Sequence, residues 1–430
     1  AEADGVRNDD VSFLASGQPI VQLYTSETEA FTQELRLVSQ SDTALQYIVG
    51  IYYEDFDSLT SGPDYINGDL DTALNAGSIF VPFSNTNPLM FDQAWDRTLK
   101  QLAFYGELSY DLTDKLELTL GARRFDYERS EDFLLEGLFN NASVHSTEET
   151  GTNFKANLSY QSNENTLLYA QWAEGFRFGN GVVPPAADIC DVNNDGILDG
   201  TNVRIRDSYD SDSTQNYELG AKLTLLDQRL QINAAIYRID WQDIPLLVSG
   251  GLDQDPRICF SSVTVNAGEA RSQGLEIETT YQVNENFRIL FGGSYTDAEL
   301  TELAPEVPFT EGSRLPSSPE LNISLGMQYE FELGGHPSYL RGDYAYVSEF
   351  FSGVGETGGG VVGFLEAPKA GDYGQLNASM GINIDKIDIE LNVHNLTNED
   401  AYTHVDRFAS RGEAYRLRPR TIGLTVGYTF

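Results

Sequence analysis

Residues 415–430 read YRLRPRTIGLTVGYTF. From Ile422 onward they alternate without a break, with Ile422, Leu424, Val426, Tyr428 and Phe430 on one face and Thr421, Gly423, Thr425, Gly427 and Thr429 on the other. A period of two belongs to a strand and not to a helix. The second face carries only small and hydroxyl residues, not the charges that a sandwich strand turns to water. Apolar outward and polar toward a lumen is the pattern of a strand in a transmembrane barrel.

Working outward from that stretch, the same alternation recurs. Leu321, Ile323, Leu325, Met327, Tyr329 and Phe331 oppose Asn322, Ser324, Gly326, Gln328 and Glu330, and Ile387, Ile389, Leu391 and Val393 oppose Asp388, Glu390 and Asn392. Strand-like runs come in pairs: 28–39 with 45–56, 99–112 with 115–128, 152–162 with 166–177, and 214–226 with 229–249. Further along, 257–283 pairs with 287–300, 320–331 with 338–350, and 373–385 with 386–396. The connections alternate in length. Tight turns fall at 41–43, 113–114, 163–165, 227–228, 284–286 and 334–336, with long polar stretches at 57–98, 130–151, 179–213, 250–256, 301–319, 351–372 and 397–414. Tight turns at one end and long loops at the other are the layout of an outer-membrane barrel, loops outside and turns in the periplasm. A soluble sandwich has no such systematic asymmetry.

Composition agrees with this layout and excludes several alternatives. The 430 residues carry 66 Asp+Glu against 27 Lys+Arg, a formal charge of −39. That balance argues against nucleic acid as a partner, because such binding relies on basic surface. It suits divalent cations, cationic ligands or a salty medium, and equally an organism with an acidic proteome. No apolar run approaches the length of a membrane helix, a test that barrel strands escape by alternating. Aromatic residues make up 11% of the chain, enough for interfacial girdles. No signal peptide is visible in AEADGVRNDD.

Parity sets an expectation for the fold. The closing strand descends to the periplasm, and counting back through about fifteen strands makes 28–39 descend as well. Bacterial barrels have even strand counts. The expectation is therefore an all-β, antiparallel transmembrane β-barrel, incomplete, with residues 1–27 as the remnant of an extracellular loop and 28–430 as the C-terminal portion of the barrel.

Several stretches resemble the TonB-dependent outer-membrane receptors: EAFTQELRLVSQ at 29–40, LLYAQWAEGFRFG at 167–179, and QNYELGAKLTLLDQRLQINAAIYRIDWQDI at 215–244. Further on come NAGEARSQGLEIETTYQV at 266–283, RLPSSPELNISLG at 314–326, and NVHNLTNEDAYTHVD from 392 through RPRTIGLTVGYTF. Their order and spacing extend over nearly the whole chain. The resemblance implies a 22-stranded barrel plugged by an N-terminal domain, of which this chain would supply about the last two-thirds of the wall. It also implies a bacterial outer-membrane location, lipid around the wall, energy from the TonB system through a plug not seen here, and a ferric siderophore or similar chelate as cargo. The end of the chain resembles the closing strand of outer-membrane proteins, in which Ile422, Leu424, Val426, Tyr428 and Phe430 would be the signal read by the barrel-assembly machinery.

Few residues point to chemistry. In CDVNNDGILDGTN, Asp191, Asn193, Asp195, the Ile197 carbonyl and Asp199 fall at positions 1, 3, 5, 7 and 9 of an EF-hand-type calcium loop, with Gly196 at the sharp turn. Position 12 is Asn202 and not the bidentate Glu, so calcium and a solvated acidic turn both stand. Cys190 and Cys259 lie in neighbouring long loops on the oxidising side and are expected to pair. Closing so long a loop stabilises by about 4 kcal/mol on chain entropy alone. Arg123, Arg177, Arg341 and Asp343 are candidates to face the lumen, either as ion pairs or as contacts for a ligand. The four His are dispersed, and no nucleophile elbow, zinc helix or phosphate loop is present, so no enzyme is expected. Three readings follow: an energised importer, a complete passive porin of about sixteen strands whose extra strand comes from 11–14 and 19–24, and a calcium-stabilised surface-binding barrel.

Overall fold

The computed structural model describes residues 2–7, 20–40, 43–66, 89–137, 141–182, 185, 190–249, 262–354, 368–408 and 411–430. The chain begins with β1 (Glu2–Arg7), β2 (Ile20–Val38), β3 (Leu45–Ile66), β4 (Leu89–Thr113), β5 (Leu116–Gly137), β6 (Asn141–Asn163) and β7 (Thr166–Arg177). Two short pieces, β8 (Asn180–Gly181) and β9 (Ser208–Tyr209), pair with each other before β10 (Asp212–Leu225) and β11 (Leu230–Gln242). The hairpin of β12 (Pro245–Ser249) and β13 (Ser262–Asn266) precedes β14 (Gly268–Asn284), β15 (Phe287–Leu303), β16 (Leu321–Leu333) and β17 (His336–Val347). After the small pair β18 (Phe350–Phe351) and β19 (Lys369–Ala370) come β20 (Tyr373–Ile384) and β21 (Ile387–His394). A second hairpin, β22 (Tyr402–Phe408) with β23 (Arg411–Arg416), leads into β24 (Thr421–Tyr428).

Sixteen of these strands form one antiparallel sheet, in chain order from β1 to β24 with the four small pairs set aside. Its two faces are decided row by row. Phe287, Tyr329, Leu340, Met380, Leu391 and Leu424 are successive partners across six strands, and the last five of them are exposed. The next row is Arg288, Gln328, Arg341, Ser379, Asn392 and Gly423. Apolar side chains left in the open on one face and polar ones on the other fit a wall with lipid outside and water within. Among the described residues no helix is long and apolar enough to cross a membrane, a test that does not bear on barrels.

Among the described residues the tight turns fall where the sequence places them; of the turn expected at 41–43, residues 41–42 lie outside the described residues. Thr113 Oγ1 accepts from the amides of Lys115 and Leu116, and Leu226, Asp227 and Gln228 all take positive φ. The long connections differ from expectation. Much of 57–98 and 130–151, read as polar loop, is strand: β3 to β6 run 22 to 25 residues, about twice what a barrel strand needs to cross a bilayer. In β5 the outward series Leu116, Leu118, Leu120 and Ala122 gives way at Arg124, whose guanidinium bonds Thr150 and Thr152 on β6. Above that level the strands form a polar blade outside the membrane, where neither face must be apolar and the alternation that signals a strand disappears.

Within 1–27, read as the remnant of an extracellular loop, residues 2–7 and 20–27 are strand. Glu2–Arg7 pairs with Gln22 to Glu27 of β2, and Ile20 to Glu27 of β2 pair with the distal end of β3, Leu59 to Ile66. The long extension of β3 offers these residues backbone partners that a free loop lacks. The described strands do not form the closed ring of the passive-porin reading. Its ring needs the first strand beside the last, whereas β1 lies against the distal part of β2 and shares no ladder with β24 among the described residues. Residues 11–14, proposed for the extra strand, lie outside the described residues, and Ile20 to Tyr24 belong to β2.

At the other side of the extracellular end, the loops after β7, β11 and β15 pack into a cap with its own hydrophobic core. Val182, Leu198, Val203, Leu246, Val248, Val263, Leu300 and Leu315 are all buried there. The strand read as 229–249 breaks at Asp243, which takes positive φ, and the Ile244 amide turns to the Gly268 carbonyl. That bend delivers the β12–β13 hairpin into the cap.

Candidate functional site

The side chains with chemistry line the polar face. Arg177 and Asp212 are cross-strand partners on β7 and β10. The Arg177 guanidinium donates to Asp212 from both Nε and Nη2, at 3.0 and 2.7 Å. Trp241 Nε1 on β11 donates to the same carboxylate, and the guanidinium lies 4.8 Å from the Trp241 ring. Asp212 is only 3% exposed, so these charged and polar donors are what keep it tolerable as a buried anion.

Lower on the wall, Arg341 and Asp343 pair with each other at 2.6 Å. They line a recess of about 430 Å³ with Gln231, Asn233, Glu278 and Asn377. Arg123 reaches Gln101 Oε1 at 3.3 Å and lies 5.5 Å from the Tyr52 ring, while its buried Nε has no hydrogen-bond partner. It borders a second recess, of about 700 Å³, with Arg36, Lys155, Glu34 and Tyr105. The four residues singled out in sequence thus occupy three separate places, and Arg341 and Asp343 alone meet.

Where the blade meets the cap, Tyr127 donates to Glu149 Oε2 at 2.7 Å and Ser211 to Glu149 Oε1 at 2.6 Å. Burial, and then the bond to Glu149, hold the Tyr127 hydroxyl well above the ordinary tyrosine range. Phe125 stacks on Phe176 at 3.8 Å beside it. Glu149, Asp212 and Trp241 were not visible as site residues in the sequence. The usable signal was register, since fixing the turn between β7 and β10 would place Asp212 opposite Arg177.

The acidic loop folds onto itself. Asp191 accepts from the amides of Asp195 and Gly196, Asp195 from that of Ile197, and Asp199 from that of Val192. Asn193 donates to Asp195 Oδ2, and Ile197 bridges to Arg204. Among the described residues no three His, Cys, Asp or Glu side chains are grouped to hold a metal ion. Cys190 is fully buried in the cap and disulfide-bonded; Cys259 lies outside the described residues. The stretch around NLTNED is a loop anchor. Asn395, fully buried, donates to the carbonyls of Glu399 and Arg418 and accepts from the Glu399 amide.

Comparison with known proteins agrees with this architecture. The family described as TonB dependent receptor-like, beta-barrel matches residues 4–396. The probable TonB-dependent siderophore receptor PiuA of Acinetobacter baumannii is 22% identical over 422 residues, covering 90% of this chain and 51% of that protein. The metal-pseudopaline receptor CntO of Pseudomonas aeruginosa is 26% identical over 331 residues, 75% of this chain and 41% of that protein. The chain therefore spans about half the length of these relatives. Among solved structures, the ferric yersiniabactin uptake receptor FyuA from Yersinia pestis superposes with a TM-score of 0.73 at 16% identity, over 96% of this chain and 55% of that one. The A. baumannii PiuA structure gives 0.70 at 20% identity, over 99% and 60%. With nearly its whole length matched, the chain belongs to the TonB-dependent receptor β-barrel family, a family of outer-membrane transport receptors and not of enzymes.

Proposed function

We propose that this chain is the wall of an outer-membrane receptor that imports a ferric siderophore or a similar metal chelate with energy from the TonB system. The observation that carries the reading is the family match over a sheet whose outer rows are apolar and whose inner rows are polar. Relatives named as siderophore and metal-pseudopaline receptors support the substrate class. The stripe of Ile422, Leu424, Val426, Tyr428 and Phe430 fits the role of an assembly signal, because all five apolar side chains are exposed along the last strand of the described sheet. Pairing of Cys190 with Cys259 would tie the loop after β11 into the cap. The test is iron-55 uptake by cells carrying the full-length receptor, with ferric siderophores supplied one at a time. Uptake of at least one should depend on the receptor and stop when a protonophore collapses the proton-motive force. Uptake that persists without that force contradicts energy coupling.

A further inference from the structure

Glycine recurs on the polar face opposite an aromatic residue. Tyr105 on β4 faces Gly50 on β3, Phe125 on β5 faces Gly151 on β6, Tyr237 on β11 faces Gly274 on β14, and Tyr339 on β17 faces Gly381 on β20. At Gly50, Gly151 and Gly381 a Cβ would lie 2.4, 2.3 and 2.2 Å from the ring, distances real side chains do not adopt, whereas at Gly274 it would first meet the Tyr295 carbonyl oxygen at 2.1 Å and then the Tyr237 hydroxyl and ring at 2.9 and 3.0 Å. The ring therefore lies down over the neighbouring strand, and it does not stop there. Tyr105 hydrogen-bonds Glu34 on β2, Tyr237 shares a hydrogen bond with Thr296 on β15, and Tyr339 donates to Glu390 on β21 at 2.7 Å. Phe125, which has no hydroxyl, stacks on Phe176 of β7. Tyr169 follows a shorter version, over Gly220 to Glu218 on the same neighbouring strand. The four tyrosines are on the lumenal side, since Phe104, Leu168, Ile236 and Leu340 beside them are exposed and apolar, and Phe125 is buried on the inward face of β5 with Arg124 and Asp126 exposed beside it.

We propose that these rings are clasps: each aromatic residue on one strand crosses a glycine on the second and is held by the third, fixing the register of three strands at once. At Gly50, Gly151 and Gly381 glycine is required because only a missing Cβ leaves room for the ring; at Gly274 the Tyr295 carbonyl is the nearer obstacle. The physical basis is the covering of a strand glycine by a cross-strand ring. Together the four long clasps and the short one engage every wall strand from β2 to β21 except β16, so the wall has internal fasteners independent of lipid.

The test exploits a reversal of sign. In a strand, alanine is ordinarily better tolerated than glycine. Gly381→Ala in the full-length receptor should instead lower the midpoint of heat-modifiable gel migration, by about 2–4 °C. In a Tyr339→Ala background the same substitution should cause no further fall, because the ring it collides with is gone. Tyr339→Phe keeps the ring and should lose only the hydroxyl's share, a smaller drop. Gly381→Ala raising the midpoint, or lowering it equally in both backgrounds, overturns the proposal.

Discussion

The two halves of the extracellular end rise above the membrane by different means. From β2 to β6 the barrel strands continue upward as a ladder, paired residue by residue, with a small buried cluster of Ala103, Phe125 and Tyr127 at its base. From β7 to β17 the strands are shorter, and the loops between them condense around a hydrophobic core. Backbone pairing holds the first region and apolar burial the second, so a single substitution should propagate differently in each. A ladder distributes its cohesion over many bonds of about 1 kcal/mol, whereas a core concentrates it in a few side chains.

The largest effect is therefore expected in the cap. Leu198→Ala removes a fully buried side chain and should cost about 2–5 kcal/mol of local stability. Limited proteolysis should then cut in 190–207 while the barrel itself stays protease-resistant. Cleavage spreading equally to the blade would break the distinction. Next is the junction at Asp212, where Asp212→Ala leaves Arg177 and Trp241 without their shared acceptor. About 1–3 kcal/mol should be lost, discounted because Arg177 is more than half exposed. A chemical-denaturation series of the purified receptor measures it.

The blade should yield less. Tyr127→Phe removes one bond to Glu149 and should cost about 1 kcal/mol. Its pH dependence sharpens the assignment. The folded-state hydroxyl is held above its ordinary value of 10.0, so the contribution is whole below that pH and fades as the pH rises past it. The difference in thermal midpoint between wild type and Tyr127→Phe should hold constant up to about pH 9 and shrink by about pH 11. Calcium should do least, because the carboxylates of Asp191, Asp195 and Asp199 are already engaged by the loop's own amides. Increased amide protection of 190–202 on adding calcium would restore the cation reading.

This contrast also explains what the sequence disclosed. Inside the lipid belt one face must be apolar, so Ile387, Ile389, Leu391 and Val393 announce both the strand and its orientation. Above the belt that obligation ends, and the distal parts of β3 to β6 within 57–98 and 130–151, with Ser130 and Asp132 in the outward positions of β5, read as loop although they are strand. The cap was missed for a related reason. Its buried residues come from four stretches distant in sequence, such as Leu198, Val263 and Leu315, and none has a period of its own. Among site residues, Arg341 and Asp343 were legible because they sit two apart on one strand, while the acceptor for Arg177 became visible only through strand pairing. The NLTNED stretch carried family resemblance without chemistry, because its work is to close a loop through Asn395.

The central claim is that lipid lies outside this wall and water within it. Single-cysteine probes at adjacent rows of the full-length receptor test it most directly, with Leu340→Cys, Met380→Cys and Leu391→Cys in one set and Gln328→Cys, Ser379→Cys and Asn392→Cys in the other. In outer membranes, a spin label or fluorophore on the first set should be quenched by a lipid-dissolved quencher and shielded from an aqueous one, with the second set behaving the opposite way. Equal access from water to both rows, or a reversal of the two, would contradict the account.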